Sequence, residues 1–89
     1  MALFNIEWKH SARKELKKLP KTMIAKVIGS VEELAKNPFP NGSRKIIGAE
    51  HTYRIRIGEY RILYSVESGK LVIVVLRIGH RKDIYKNLN

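Results

Sequence analysis

Arg54, Arg56 and Arg61 are spaced so that their guanidinium groups can converge on one anion. They lie in Tyr53-Arg54-Ile55-Arg56-Ile57-Gly58-Glu59-Tyr60-Arg61-Ile62-Leu63-Tyr64, two alternating runs around Gly58-Glu59. Glycine at the first of two loop positions suits a type II′ turn, so the stretch predicts a β-hairpin. Its register pairs Ile57 with Tyr60, Arg56 with Arg61, Ile55 with Ile62 and Tyr53 with Tyr64. Alternation then puts the isoleucines and tyrosines on one face and the three arginines on the other. Like charges directly opposite each other destabilise a sheet. A face that needed only to be wetted would be better served by Thr, Glu or a Lys–Glu pair. The arrangement points to an anion site, and in so basic a chain the anion expected is a nucleic-acid phosphate.

A second cluster follows in Gly79-His80-Arg81-Lys82-Asp83-Ile84-Tyr85. His80 and Tyr85 are the groups near the basic residues that could carry a proton near neutrality or shape a nucleobase pocket. Taken singly each has a plainer reading, His80 as a polar loop residue and Tyr85 as a ring packed on the core. His10 and His51 are weaker candidates. No carboxylate pair is placed for acid–base work, no His/Asp/Glu spacing suggests a metal site, and Ser43, Ser65 and Ser68 have no evident base. Phosphodiester cleavage by such a set would need the substrate's own 2′-hydroxyl, which restricts it to RNA. No cofactor is called for. Arg13, Lys14, Lys17, Lys18 and Lys21 fall on the outer side of an amphipathic helix, where solvated charge is ordinary.

The elements that must position these groups fit one small domain spanning 1–89. The net charge of +10, from 18 Lys+Arg against 8 Asp+Glu, favours a nucleic acid or an acidic protein as partner and opposes self-association. The chain has no cysteine, so disulfides and thiolate metal sites are excluded. No segment has signal-peptide form or the length to span a bilayer, so a cytoplasmic protein without membrane contact is expected. Leu3 to Trp8 alternates as a first strand. Ala12, Leu16 and Leu19 predict a helix over His10 to Leu19, with Ser11 as a candidate cap and Pro20 as its end. Met23, Val27, Val31, Leu34 and Ala35 predict a second helix, stopped by Asn37-Pro38. Arg44-Lys45-Ile46 reads as a short strand ahead of the hairpin. Leu71 to Ile78 reads as a third strand, apolar on both faces with a continuous run from Leu71 to Leu76, which marks a central strand. The fold class expected is α+β: an N-terminal strand, two helices on one face of a mainly antiparallel sheet, and a short C-terminal segment.

With these motifs in order, the chain resembles the RelE/ParE toxin superfamily, on the RelE side. Tyr53-Arg54-Ile55-Arg56, Gly58-Glu59-Tyr60-Arg61 and the His80-Arg81-Lys82-Asp83-Ile84-Tyr85 run carry the resemblance, which covers almost the whole chain. Ala12 to Pro20 and Asn37 to Gly42 fit it as well. The resemblance implies a toxin of a type II toxin–antitoxin pair that enters the ribosomal A site and cuts mRNA by 2′-hydroxyl attack, without metal. It implies a cognate antitoxin as partner, with operator DNA reached only through the antitoxin complex. It also implies roles: Arg54 and Arg56 at the family's basic strand positions, Arg61 as transition-state arginine, Arg81 as second catalytic arginine and Tyr85 as the late tyrosine. Family members often carry lysine at the first two positions, where it has been assigned as general base. Arginine cannot lose its proton at usable pH. Arg54 and Arg56 are therefore expected to hold phosphate, with Lys82 beside them, and the base passes to His80, Tyr85 or Lys82, with His80 favoured. Alternatively, positioning by the ribosome makes a strong base unnecessary. A ParE-like toxin that inhibits DNA gyrase without cutting, and a degenerate relative that only binds an antitoxin or operator, are the competing readings.

Leu63, Val72 and Val74 share the arginine face by alternation, where the helices cannot cover them. An antitoxin segment is expected to do so, or else the C-terminal segment with Ile84 and Leu88 folds back over them.

Overall fold

The computed structural model of the chain describes residues 3–84. Its elements are β1 (Asn5–Trp8), α1 (His10–Lys17), α2 (Lys21–Lys36), β2 (Arg44–Lys45), β3 (Thr52–Ile57), β4 (Tyr60–Glu67) and β5 (Val72–His80). The strands form one sheet in the order β1-β5-β4-β3-β2. β1 runs parallel to β5, and the other three pairings are antiparallel. Where β5 is flanked on both sides, it is the near-continuous apolar strand the sequence suggests.

The ends of elements differ slightly from expectation, each for a local reason. Phe4 N–H donates to Ala35 O at 2.9 Å, so the chain ahead of Asn5 is tied to the end of α2 rather than to the sheet. α1 stops at Lys17 because Lys18 and Leu19 donate three residues back, to Glu15 O and Leu16 O, tightening the last turn before Pro20. Ser11 does not cap α1: Lys9 holds the cap position, without a side-chain bond. Beyond α2, Asn37 Oδ1 accepts from Phe39 N–H and starts the loop to β2.

Both helices lie on the face that carries Ile55, Ile62, Tyr64, Val66, Ile73, Val75 and Ile78. Ala12, Val27, Val31 and Leu34 close the core from the helical side. Burial of this apolar face is the main stabilising term. Tyr64 is fully buried, its hydroxyl donating to Pro38 O at 2.8 Å, and burial pushes its phenol up to about 12.

β5 departs from strict alternation. Leu63 pairs with Arg77 but Tyr64 pairs with Val75, which leaves Leu76 as an extra, unpaired residue: a β-bulge. Val75 and Ile78, three apart, thereby both reach the core. β1 ends opposite Val75, and the chain turns into α1. Farther along β5, the open edge is closed by a side chain: the Glu15 carboxylate accepts from Ile78 N–H at 2.9 Å and from Arg77 Nη2 at 3.1 Å. Arg77 Nη1 donates in turn to Ile84 O.

Leu63 is not open to a partner as expected from its face; it is 1% exposed, with Arg54 and Arg77 as cross-strand neighbours. Val72 and Val74 are half-buried. Ile84 is fully buried, and its Cδ1 stands 3.1 Å from where a Cβ on Gly79 would be, so the missing side chain at Gly79 makes room for it. Ile84 thus packs against Gly79, and Leu88 lies outside the described residues.

Glu15→Ala should lower stability by about 1–3 kcal/mol, because it strands a backbone donor and an arginine together. Glu15→Gln, which keeps an acceptor, should lose less. Urea unfolding measures both, and an unchanged midpoint in Glu15→Ala would show that the β5 edge needs no such closure.

Candidate phosphate-binding site

The hairpin has the register its sequence dictates: Arg56 opposite Arg61, Ile55 opposite Ile62, Ile57 opposite Tyr60 and Tyr53 opposite Tyr64. Gly58 has φ 58° and Glu59 a negative φ, the signature of a type II′ turn. Arg54 faces Leu63 on β4 and, on its other side, Arg44 on β2. Two pairs of arginines therefore stand directly opposite each other on one face, Arg44–Arg54 and Arg56–Arg61. Among the described residues, no carboxylate lies within ion-pair distance of any of these four. The sequence offers Arg44 only as part of a short strand; the pairing of β2 with β3 is what joins it to the row.

Arg61 is half-buried and folds over the turn, its Nη1 donating to Gly58 O at 3.2 Å and to Tyr60 O at 3.0 Å. Arg81, just past β5, reaches the same turn. Its backbone N–H donates to Glu59 O at 2.8 Å, and its Nε donates to the Glu59 carboxylate. The hydrogen bond and charge of Arg81 hold the exposed Glu59 carboxyl below the usual carboxylate value, with smaller contributions from the charges of His80 and Arg61. Arg61, Arg81 and His80 thus all surround one two-residue turn.

His80 is placed differently from the arginines. It pairs with Tyr60, so its ring points to the helix-covered side, while Arg61 pairs with Gly79. The His80 and Tyr60 rings meet edge to face at 5.8 Å, bordering a cleft with Lys18, Leu19 and Glu15. His80 Nδ1 accepts from Lys82 N–H at 3.1 Å, which in the neutral ring assigns the proton to Nε2. Lys82 itself is exposed on the turn. Asp83 and Ile84 N–H both donate to His80 O, closing that turn. Tyr85 lies outside the described residues. The structure accordingly joins Arg54, Arg56, Arg61 and Arg81 around the hairpin, adds Arg44, and puts His80 at the sheet's end on the opposite face.

Among the described residues no helix is long and apolar enough to cross a membrane.

The Glu59–Arg81 pair makes a titration prediction. A depressed carboxyl means that the pair is intact above the ordinary value of 4.5 and is lost as pH falls through the lower folded value. Side-chain NMR should find Glu59 titrating below its ordinary range, and Arg81→Ala should move it back up. A midpoint indifferent to Arg81 would contradict the pairing.

Comparison with known proteins identifies the family of the chain. Residues 6–85 match the family model described as the ParE toxin of the type II toxin–antitoxin system parDE. The chain is 33% identical over 87 residues to the toxin RelE1 of Methanocaldococcus jannaschii, covering 94% of this chain and 97% of that one. It is 32% identical to the toxin RelG of Mycobacterium tuberculosis, over 93% of this chain and 97% of the relative. The solved archaeal RelE–RelB complex from Pyrococcus horikoshii contains a chain that superposes with a TM-score of 0.81 at 27% identity, covering 91% of this chain and 98% of its own length. The chain belongs to the RelE/ParE family of type II toxin–antitoxin toxins, and its fold is that of RelE.

Proposed function

We propose that this toxin is a ribosome-dependent endoribonuclease that cuts mRNA in the A site by 2′-hydroxyl attack. The observation that carries the reading is the pair of directly opposed arginines, Arg56 and Arg61, neither of which has an ion pair among the described residues. Repulsion across a β-pair has a stability cost, and a bound phosphate removes it. In the reaction the 2′-hydroxyl gives its proton to water as its oxygen bonds to the neighbouring phosphorus, the P–O5′ bond breaks, the 5′-oxygen takes up a proton from water, and a 2′,3′-cyclic phosphate remains. Charge builds on the non-bridging oxygens, which Arg61, Arg56 and Arg81 neutralise. Arg54, Arg44 and Lys82 hold flanking phosphates. Arg54 and Arg56 stay protonated throughout.

His80 has a narrower part than the sequence suggests. With Nδ1 engaged by Lys82 N–H, the neutral ring presents Nε2–H, a donor rather than a base. The 2′-hydroxyl is therefore activated chiefly by its placement on the ribosome. Tyr85 is assigned to orient or stack on a base.

The cognate antitoxin is the second partner. Structures of relatives hold RelE-type toxins with RelB antitoxins, which supports a like partner here. Its acidic groups would meet the arginine face, adding association rate and specificity.

A second reading keeps one observation on its side: the matching family model is described by its ParE toxin. In that case the protein would trap gyrase on DNA and leave mRNA whole. Cleavage assays on programmed ribosomes and gyrase cleavage-complex assays, run together, separate the two.

Arg61→Ala should lower single-turnover cleavage about 10²–10³-fold while the protein stays folded, because one donor to developing charge is lost and repulsion with Arg56 is relieved. Arg81→Ala should act in the same direction. Cleavage by Arg61→Ala at the wild-type rate would remove Arg61 from the site.

The pH dependence of the single-turnover rate should show no ionisation that His80→Asn abolishes. A limb that rises near neutrality in the wild type and vanishes in His80→Asn would restore His80 as the base. Tyr85→Phe should keep most of the activity if the ring alone is used.

A further inference from the structure

Arg81 follows the last residue of β5 on an exposed turn, and its side chain is half exposed. A free arginine there would sample many rotamers. Two bonds to one residue prevent this: the backbone N–H to Glu59 O and the Nε to the Glu59 carboxylate. Across the same turn, Arg61 Nη1 is fixed by Gly58 O and Tyr60 O. Two guanidiniums of like charge are thus anchored around one turn, Arg61 on Gly58 and Tyr60 and Arg81 on Glu59. The Glu59 carboxylate offsets that repulsion. It also uses the Nε of Arg81 and leaves the two Nη groups, the fork that suits a phosphate.

We propose that Glu59 is a positioning residue for the cleavage reaction: its carboxylate fixes Arg81 so that the Nη fork meets the phosphate that Arg61 holds. The inference rests on the ribonuclease reading above. It goes beyond that reading by giving the acidic residue of the hairpin turn a part in catalysis. The opposite role would be a placeholder, a carboxylate that fills the anion site until RNA phosphate displaces it. The two differ in sign, because removing a placeholder raises affinity and rate, whereas removing a positioning residue lowers the rate.

The test uses the full-length toxin and four variants: Glu59→Ala, Glu59→Gln, Arg81→Ala and the double variant Glu59→Ala/Arg81→Ala. Single-turnover cleavage of mRNA on programmed ribosomes is measured against toxin concentration. Glu59→Ala should lower the maximal rate about tenfold with little change in half-saturation, as expected when a reacting group is misplaced rather than removed. Glu59→Gln keeps an acceptor oxygen and should recover most of the rate. Adding Glu59→Ala to Arg81→Ala should cost nothing further, since Glu59 acts only through Arg81. A fully additive double variant, or a faster Glu59→Ala, would overturn the proposal, the latter in favour of the placeholder.

A second measurement does not depend on cleavage. The Arg81 Nε–H resonance should exchange slowly with water in the wild type and rapidly in Glu59→Ala. An exchange rate unaffected by Glu59→Ala would overturn the proposal even if activity fell. Wild-type protein that leaves ribosome-bound mRNA intact would remove the ribonuclease reading, and the Nε–H signal would then decide on its own whether Glu59 orients Arg81.

Discussion

The Glu15 carboxylate stands in for the strand that β5 lacks beyond Val75. Without it, the Ile78 N–H would face α1 with no acceptor, and Arg77 would lie against the sheet as an unpaired cation. The consequences run on toward the site. Arg77 reaches Ile84 O, Ile84 fills the space that Gly79 leaves, and the turn between them carries His80 and Arg81. A single acidic residue on the first helix thus helps to hold the C-terminal half of the constellation. It is one of 8 acidic residues in a chain with 18 Lys and Arg, so few others could serve.

The two halves of the arginine set are held by different physics. Arg44, Arg54, Arg56 and Arg61 project from paired strands, so backbone hydrogen bonds hold their Cα atoms together despite the repulsion between side chains. Arg81 sits on a turn, and an ion pair holds it. Exposed ion pairs contribute little to stability. Strand residues therefore keep their positions at any pH at which the sheet survives, while the orientation of Arg81 depends on one exposed carboxylate. The organisation is a rigid cationic floor with one adjustable arm.

The hairpin was legible because its determinants are local: strict alternation and a two-residue turn with glycine in first place fix every pairing from Tyr53 to Tyr64. The helices were legible from the spacing of Val27, Val31 and Leu34. What could not be read depends on partners far away in sequence. Glu15 looks like any acidic residue on a helix surface until β5 is seen beside it, some sixty residues on. Arg44 reads as part of a short strand, but nothing local places it in the arginine row until β2 pairs with β3. His80 and Arg81 are adjacent in sequence, and the sequence suggests one cluster; His80 is the last paired residue of β5 and meets Tyr60, while Arg81 lies just past the strand and bonds Glu59. Leu63 reads as exposed when faces are counted, yet it is 1% exposed between Arg54 and Arg77 on the neighbouring strands, because a face count says nothing of the side chains that lie beside a residue.

The unpaired Leu76 is in effect a parity bit for everything after it. Upstream of it, odd-numbered positions of β5 face the helices, as Ile73 and Val75 do; downstream the even ones do, as Ile78 and His80 show. A chain one residue shorter at that point would bring the imidazole into the ranks of the guanidiniums and turn the glycine notch inward. An imidazole in that company would be pressed toward its neutral form by the surrounding positive charge. Related sequences with one residue fewer in this strand would therefore present a histidine to the arginine face, and with it a different protonation chemistry on the same framework.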